Sequence, residues 1–512
     1  MTKKLFFPCF VVCVMYSQLY AQAGKMIKIR KYLQANEHTM INEFVSFLGI
    51  LNVSGDSANI IQNADFIMQA MGKRNIKNIQ LLYPVTSKAF PAVYGEVLVP
   101  GAKQTLIFYA HYDGQPVTAS QWAKGLEPFK AALYSASLEQ HGMPIDFPSA
   151  DKLYDPQWRI YARGASDDKA GVMAILNAYE AIVKTGMQPT VNIKFFFESE
   201  EEAGSGHLFE ILQQHTNLLQ SDCWIICDGP VHQSGLKQVL FGARGDAHVN
   251  VTIYGSKRPL HSGHYSNWAP NPAMMLVQLL ATMKDTSGRV TIKGFYDDVM
   301  PLSAAEKQAL KDMPLVDEQL KKELGFMEPE LAGVSLAEAI NIPTLNINGM
   351  QSANVGKNAS NVIPVKAEAV IDLRMVVGND WQKQQQKVVA HIKEQGYYIT
   401  TTEPTDEERS KYPKIAQVNL SGGYNAQKTP MDLPVTKKIV AAVQTTMPEK
   451  VVLTPTLGGS LPLFVFEKYL KAHTITIPLA NYDNNQHAEN ENIRLQNFWN
   501  GIETMAALMI ME

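Results

Sequence analysis

The sequence predicts an α/β protein: a mostly parallel sheet with helices on both faces, plus an inserted α+β domain of ferredoxin-like order. Three observations carry this expectation. Between about residues 80 and 230, apolar β-rich runs alternate with helical patterns. Near Gly242 the order becomes strand-helix-strand-strand-helix-strand, the split βαβ pattern. From about Met431 the first pattern resumes and continues to the end.

At 512 residues the chain exceeds what one ordinary hydrophobic core holds, so two domains are expected. Residues 24–242 and 426–512 should form the first, with residues 243–425 inserted into it. Residues 1–23 stand apart. Lys3 and Lys4 precede an apolar stretch from Leu5 to Tyr16, and Ala21-Gln22-Ala23 offers small residues for cleavage. That layout predicts a signal peptide, hence a secreted or periplasmic protein with no membrane association once the signal is removed. Cys9 and Cys13 fall in that segment. Cys223 and Cys227 sit four apart in an expected strand, roughly 13 Å between Cα atoms, too far for a disulfide, and read as buried free thiols.

In the first domain the runs 105–110, 191–197 and 223–227 are nearly continuous in apolar residues, as strands buried on both faces are. A helix is expected over 169–184. Each strand run is followed by polar, mostly acidic residues, and open α/β sheets collect functional groups beyond the carboxyl ends of their strands. In the inserted part, strands are expected over 248–254, 344–347, 367–375 and 397–402, with helices over 271–283 and 381–395. A mainly helical insertion around 293–339 interrupts them. Hydrophobic residues make up 46% of the chain and charged residues 19%, with a formal net charge of −3. That balance gives no electrostatic reason to bind nucleic acid or anionic membrane, and leaves small molecules as partners.

Five segments place reactive side chains at the strand ends. In Ala110-His111-Tyr112-Asp113, residues two apart on a strand point the same way, so Asp113 can hold the His111 ring and leave its other nitrogen for a metal. An ordinary hydrogen-bonded pair is the alternative. In Gly164-Ala165-Ser166-Asp167-Asp168-Lys169, Ser166 or Asp167 reads equally as a helix N-cap or, for the carboxylate, as a bridge between two cations. Glu198, Glu200, Glu201 and Glu202 fall within five positions after an apolar strand, where mutual repulsion favours protonation or bound cations. A surface acidic patch is the competing reading. Asp228 follows the next strand, and His487 lies in a polar loop running from Asn481 to Glu491; either alone would be a turn residue. Together, three carboxylates and two histidines on one rim make a donor set that zinc accepts, and Asp167 shared between two ions gives each three protein ligands.

These segments resemble the co-catalytic zinc metallopeptidases and deacylases that include carnosinase, cytosolic nonspecific dipeptidase, glutamate carboxypeptidase, acetylornithine deacetylase and succinyl-diaminopimelate desuccinylase. The dipeptidase branch is the most similar. The resemblance rests on His-x-Asp, Gly-x-x-Asp-x-Lys, Glu-Glu-x-Gly-Ser, a strand-end Asp and a late His in that order, and spans nearly the whole chain after residue 23. It implies a zinc-exopeptidase-like domain and a lid or dimerisation domain, with two zinc ions, for which manganese or cobalt would substitute. His111 and Asp228 would complete one site, Glu202 and His487 the other, and Asp167 would bridge them. Glu201 would be the general base acting with a metal-bridged hydroxide, Asp113 would orient His111, and the Asp167-Asp168 peptide would be cis.

The resemblance extends to the inserted domain. His261, in Leu260-His261-Ser262-Gly263, is similar to a lid histidine that stabilises the oxyanion and, in a homodimer, reaches the partner's site. Arg374 is similar to the residue that binds the substrate carboxylate, and Ser460, in Gly458-Gly459-Ser460, to one that contacts the substrate terminus. Each also has a structural reading: loop histidine, strand ion pair, turn. Asn361 stands where the dipeptidase branch often has Thr, and Ser266-Asn267 replaces a usual Gly-Gly. The implied activity is amide hydrolysis of dipeptides or short peptides with a free C-terminal carboxylate. N-acyl-amino-acid deacylation by the same centre is the alternative, and a non-catalytic binding domain is a third reading. A serine hydrolase built on Ser460 or Ser262 lacks a nucleophile-elbow context.

Overall fold

The computed structural model describes residues 8–149, 152–459 and 463–512, with side chains from residue 24 onward. The strand Thr105–His111 lies in the middle of an eight-stranded sheet. It pairs in parallel with Asn192–Glu198 on one side and Cys223–Ile226 on the other, and Cys223–Ile226 pairs in parallel with Thr474–Thr476. Lys77–Leu82 and Ala92–Val97 add an antiparallel edge beyond Asn192–Glu198. Gln238–Leu240 and Val452–Thr454 extend the opposite edge. The parallel centre with helices on both faces is the fold class that the apolar runs predict.

Those runs are apolar throughout because both faces are covered. Leu106, Phe108 and Ala110 join a core built with the helices Pro8–Leu48, Ser57–Lys73, Lys169–Lys184, Pro434–Gln444 and Leu495–Met509. Ile107 and Tyr109, one residue out of phase, face the opposite core with Leu208–Gln214 and Phe464–Leu470. Cys223 and Cys227 are buried free thiols, as their spacing predicts.

The helix Lys169–Lys184 begins with Asp168, whose Oδ1 accepts the Gly171 N–H at 3.1 Å; the cap is Asp168, not Ser166 or Asp167. Glycine at 171 is required by close approach. A Cβ there would lie 2.5 Å from the Cys227 carbonyl oxygen and 2.3 Å from Asp168 Oδ1. The helix start is thereby pressed against the end of the Cys223–Ile226 strand. Lys169 is fully buried, and its ammonium donates to the carbonyls of Phe47 (2.8 Å) and Ile50 (2.6 Å) at the C-terminal end of Pro8–Leu48.

That helix corrects the expectation for residues 1–23. Pro8–Leu48 is one helix of 41 residues, so Ala21-Gln22-Ala23 lies within it instead of in the extended segment a signal peptidase cleaves. From Met26 onward its side chains enter the main core. An apolar run behind two lysines is compatible with a helix as well as with a leader, and pattern alone does not separate the two; residues 1–7 lie outside the described residues. Among the described residues no helix is long and apolar enough to cross a membrane.

The inserted segment carries a five-stranded sheet in the order Thr344–Gln351, Lys366–Met375, Gly245–Tyr254, Ile415–Tyr424, Tyr398–Thr400, with its own core. The expected strands are present, with helices Pro272–Ala281 and Trp381–Glu394 between them. Ile415–Tyr424, not foreseen, pairs antiparallel with Gly245–Tyr254 and displaces Tyr398–Thr400 to a parallel edge.

Candidate metal centre

His111, Glu202 and Asp228 lie at or just after the ends of parallel strands, and His487 lies in the loop after Thr474–Thr476. Asp167 sits in the turn between the antiparallel strand Arg159–Tyr161 and the helix Lys169–Lys184. His111 closes its strand opposite Glu198. Its Nε2 lies 2.8 Å from Asp167 Oδ1 and 4.0 Å from Asp228 Oδ2. The other oxygen of Asp167, Oδ2, lies 3.1 Å from His487 Nε2, which is 3.2 Å from Glu202 Oε2. Two trios result, His111/Asp167/Asp228 and Asp167/Glu202/His487, each with its ligand atoms within 4.8 Å of one another. Asp167 belongs to both, one oxygen to each. The Asp167-Asp168 peptide is cis.

Asp113 is fully buried, with Oδ1 3.3 Å from His111 Nδ1 but without hydrogen-bond geometry from that ring nitrogen. It also accepts the backbone N–H groups of Glu201 (3.2 Å) and Glu202 (3.0 Å), so one carboxylate fixes the acidic turn beside the His111 ring. The four glutamates separate in role. Glu198 is buried and accepts the Tyr109 hydroxyl at 2.6 Å, and Glu200 accepts the backbone N–H and contacts Nδ1 of His207. Glu201 and Glu202 remain, in a single 3-10 turn closed by Gly204 at φ 86°, a left-handed conformation that favours glycine. Glu201 lines the same cavity as Asp167, Asp228 and His487.

The electrostatics are those of an acidic cluster short of positive charge. Burial, with Asp167 nearby, pushes Asp228 up to about 6 and Glu202 up to about 7. Burial pushes Glu201 well above the carboxylate range, and the charges of Asp228 and Glu202 add to it. Against its own burial, Asp167 is held well below that range by hydrogen bonds from His111 and His487. The bond to Asp167 raises His487 to about 9. Among the described residues no lysine or arginine pairs with Asp167, Glu201, Glu202 or Asp228. Carboxylates and imidazoles so arranged fit divalent cations, zinc above all. A third grouping, Asp246, His248 and Asp372, lies on the inserted sheet. There the Arg374 guanidinium already supplies the charge, 3.1 Å from Asp372 and 3.6 Å from Asp246.

Sequence reasoning missed the residues that hold this centre in shape. Glu491, with no exposed surface, accepts Ser166 N–H (2.8 Å), Ser166 Oγ–H (3.0 Å) and Asp167 N–H (3.0 Å) on one oxygen. Its other oxygen takes Gly164 N–H (2.9 Å) and Arg163 Nη1 (2.7 Å). Gln115 donates to Glu202 Oε2 at 2.8 Å and Gln486 to Asp167 Oδ2 at 3.2 Å. His487 adopts φ 62°, uncommon for a non-glycine residue, in a loop braced by Asn484. The remaining expected residues are not drawn into this cluster. His261 is exposed, accepts the Gly263 N–H on its ring and lies against His264 in a tilted contact, ring centroids 4.6 Å apart. The Asn361 carbonyl accepts the Ser262 N–H beside the short ladder of Leu260–His261 with Val362–Ile363. Arg374 is on Lys366–Met375, and Ser460 lies outside the described residues.

Fold and donor set together define a metal-dependent peptidase. The model of Peptidase family M20/M25/M40 matches residues 107–511, and the chain belongs to that family. It is 26% identical over 499 residues to the Cys-Gly metallodipeptidase dug1 of Schizosaccharomyces pombe, covering 93% of this chain and 96% of that one. To the Beta-Ala-His dipeptidase of Mus musculus it is 24% identical, covering 96% of each. Among solved structures, the M20 family metallo-carboxypeptidase Sso-CP2 from Sulfolobus solfataricus aligns with TM-score 0.71 at 27% identity, covering 92% of this chain and 98% of that one. Human carnosine dipeptidase 1 aligns with TM-score 0.70 at 20% identity, covering 95% and 98%. The chain is thus a zinc metallopeptidase of the dipeptidase branch, and the family works with a divalent metal. These relatives, with the unbroken Pro8–Leu48 helix, overturn the secreted or periplasmic location expected from residues 1–23.

Proposed function

We propose that the chain is a two-zinc dipeptidase that hydrolyses the amide bond of dipeptides or short peptides bearing a free C-terminal carboxylate. The observation that supports it is Asp167, with one carboxylate oxygen toward His111 and Asp228 and the other toward Glu202 and His487. A bound pair of divalent cations supplies Lewis-acid stabilisation of developing negative charge and lowers the pKa of water at the site. Glu201, in the same cavity, takes a proton from the attacking water and returns it to the leaving amine; its burial suits a carboxyl that must hold a proton part-way through a cycle. Asp113, 3.3 Å from the His111 ring, holds the Glu201–Glu202 turn beside it through two backbone N–H groups.

In this reading residues 24–242 and 426–512 form the catalytic domain and residues 243–425 a lid. Arg374 offers a planar guanidinium to the substrate carboxylate, with Ser460 and Asn361 as further substrate contacts. His261 supplies an oxyanion contact from the lid, its own or that of a second copy in a homodimer. Homodimer formation through the inserted domain is supported by apolar exposure there: Trp268 at 80%, Met274 at 57%, and the open edge of Thr344–Gln351. Sedimentation of the purified protein checks it, a dimer being expected and a monomer at micromolar concentration contradicting it.

The test of the activity is a panel of dipeptides and N-acyl amino acids, assayed on zinc-loaded protein, after chelation and after zinc is restored. Dipeptide hydrolysis that disappears and returns with zinc is the expected result. Turnover of N-acyl amino acids alone would transfer the centre to deacylation.

A further inference from the structure

A cavity of about 280 Å³ opens beside the two trios. Asp167, Glu201, Asp228 and His487 line it together with the apolar Pro230, Leu240, Leu457 and Pro478, two glycines, and the uncharged polar Thr476 and Gln486. Leu240 and Leu457 also line a second cavity of about 100 Å³, closed from beyond by Leu310, Met313 and Ile340 of the helical insertion. The two leucines thus line both the metal-ligand cavity and a mixed polar and apolar recess to which the helical insertion contributes. Among the described residues lining the larger cavity, the acids are Asp167, Glu201 and Asp228 alone, and no lysine or arginine faces it. The first and third belong to the trios, and Glu201 is the proposed base.

We propose that the part of this cavity bounded by Leu240, Leu457, Pro230 and Pro478 is a mostly apolar subsite for the portion of the substrate on the amino side of the scissile bond, with Leu240 and Leu457 as specificity-determining residues. The assignment rests on the dipeptidase reading above, which gives the carboxylate end to Arg374 and leaves the amino side to the catalytic domain. A bulky apolar side chain is removed from water against the two leucines and prolines. A lysine or aspartate side chain held against those leucines and prolines loses hydration, and no residue of that wall carries a charge to offset it. No spare carboxylate is left to pair with a free α-ammonium, so a blocked amino group is tolerated. The preferred substrate class is therefore a short peptide with a large apolar residue before the scissile bond, its own amino group free or acylated.

The test compares kcat/KM of the zinc-loaded full chain on Leu-Gly, Gly-Gly, Lys-Gly, Asp-Gly and N-acetyl-Leu-Gly. Leu-Gly is expected to exceed Gly-Gly, Lys-Gly and Asp-Gly by roughly tenfold or more, since each methylene in an apolar pocket is worth about tenfold or more. N-acetyl-Leu-Gly is expected to fall within roughly tenfold of Leu-Gly, the size of one modest contact. In Leu457→Asp the Lys-Gly to Leu-Gly ratio should rise at least tenfold. Were that variant not to fold, the wild-type panel decides alone. Equal rates for Leu-Gly and Lys-Gly, or loss of activity on acetylation, would overturn the subsite while leaving the dipeptidase reading intact. Failure to cleave any of the five would remove both.

Discussion

Replacing Glu491 by glutamine changes one oxygen into an NH2 group within a site that accepts five hydrogen bonds. On one oxygen the donors are Ser166 N–H, Ser166 Oγ–H and Asp167 N–H; on the other, Gly164 N–H and the Arg163 guanidinium. An amide nitrogen accepts from none of these. Whichever way the amide turns, at least two buried N–H donors lose their acceptor, at ~1–3 kcal/mol each. Neutralising Glu491 also relieves the burial that raises its pKa, which places the net loss in the lower part of that sum, about 2–4 kcal/mol. For a large catalytic domain this corresponds to a fall in Tm of roughly 5–10 °C. The loop carries Asp167, so weaker metal binding should accompany it. Thermal unfolding of metal-free protein, with zinc competition against a chromophoric chelator, measures both. A Tm within about 1 °C of wild type would refute the reasoning, because Glu491 would then not be the acceptor on which the loop depends.

Three further predictions follow from the same geometry. Glu201→Gln should keep its zinc and lose roughly 10²–10⁴ of turnover, the range for a general acid–base group; wild-type turnover in the zinc-loaded variant would remove Glu201 from the mechanism. Zinc affinity should rise as pH increases from 6 to 9, because Asp228 (about 6), Glu202 (about 7) and His487 (about 9) hold protons in the metal-free protein and must release them to ligate; calorimetric titration at several pH values checks this, and a pH-independent affinity would contradict it. Gly171→Ala drives a methyl against the Cys227 carbonyl and the Asp168 cap, and should cost about 1–3 kcal/mol or more, read as a lowered unfolding midpoint.

That the two trios of His111, Asp167, Asp228, Glu202 and His487 lie together was legible in the sequence chiefly because most of them follow strand ends. His111, Glu202 and Asp228 follow apolar runs whose composition marks them as buried parallel strands, and a parallel sheet brings such ends to one rim, which the His487 loop also reaches after Thr474–Thr476. Asp167 instead comes from the turn between the antiparallel strand Arg159–Tyr161 and the helix Lys169–Lys184. Glu491 carried no such mark. It was one polar residue in the loop from Asn481 onward, and its partners at 163–167 lie more than 300 positions away, so nothing local announced that it is buried. Gln115 and Gln486 are of the same kind. The strand Ile415–Tyr424 was hidden by Gly422 and Gly423, which weaken a strand pattern. Gly423 is needed there, since a Cβ would come within 2.4 Å of the Asp246 carbonyl oxygen. The positions of His261 and Arg374 relative to the centre depend on packing between segments far apart in sequence, which periodicity does not encode.

The most direct test is anomalous diffraction at the zinc edge from crystals of the zinc-loaded protein. Two peaks about 3.5–4 Å apart, one on each side of the Asp167 carboxylate, are expected. A single peak, or zinc bound away from Asp167, would contradict the shared-carboxylate centre on which the proposed chemistry is built.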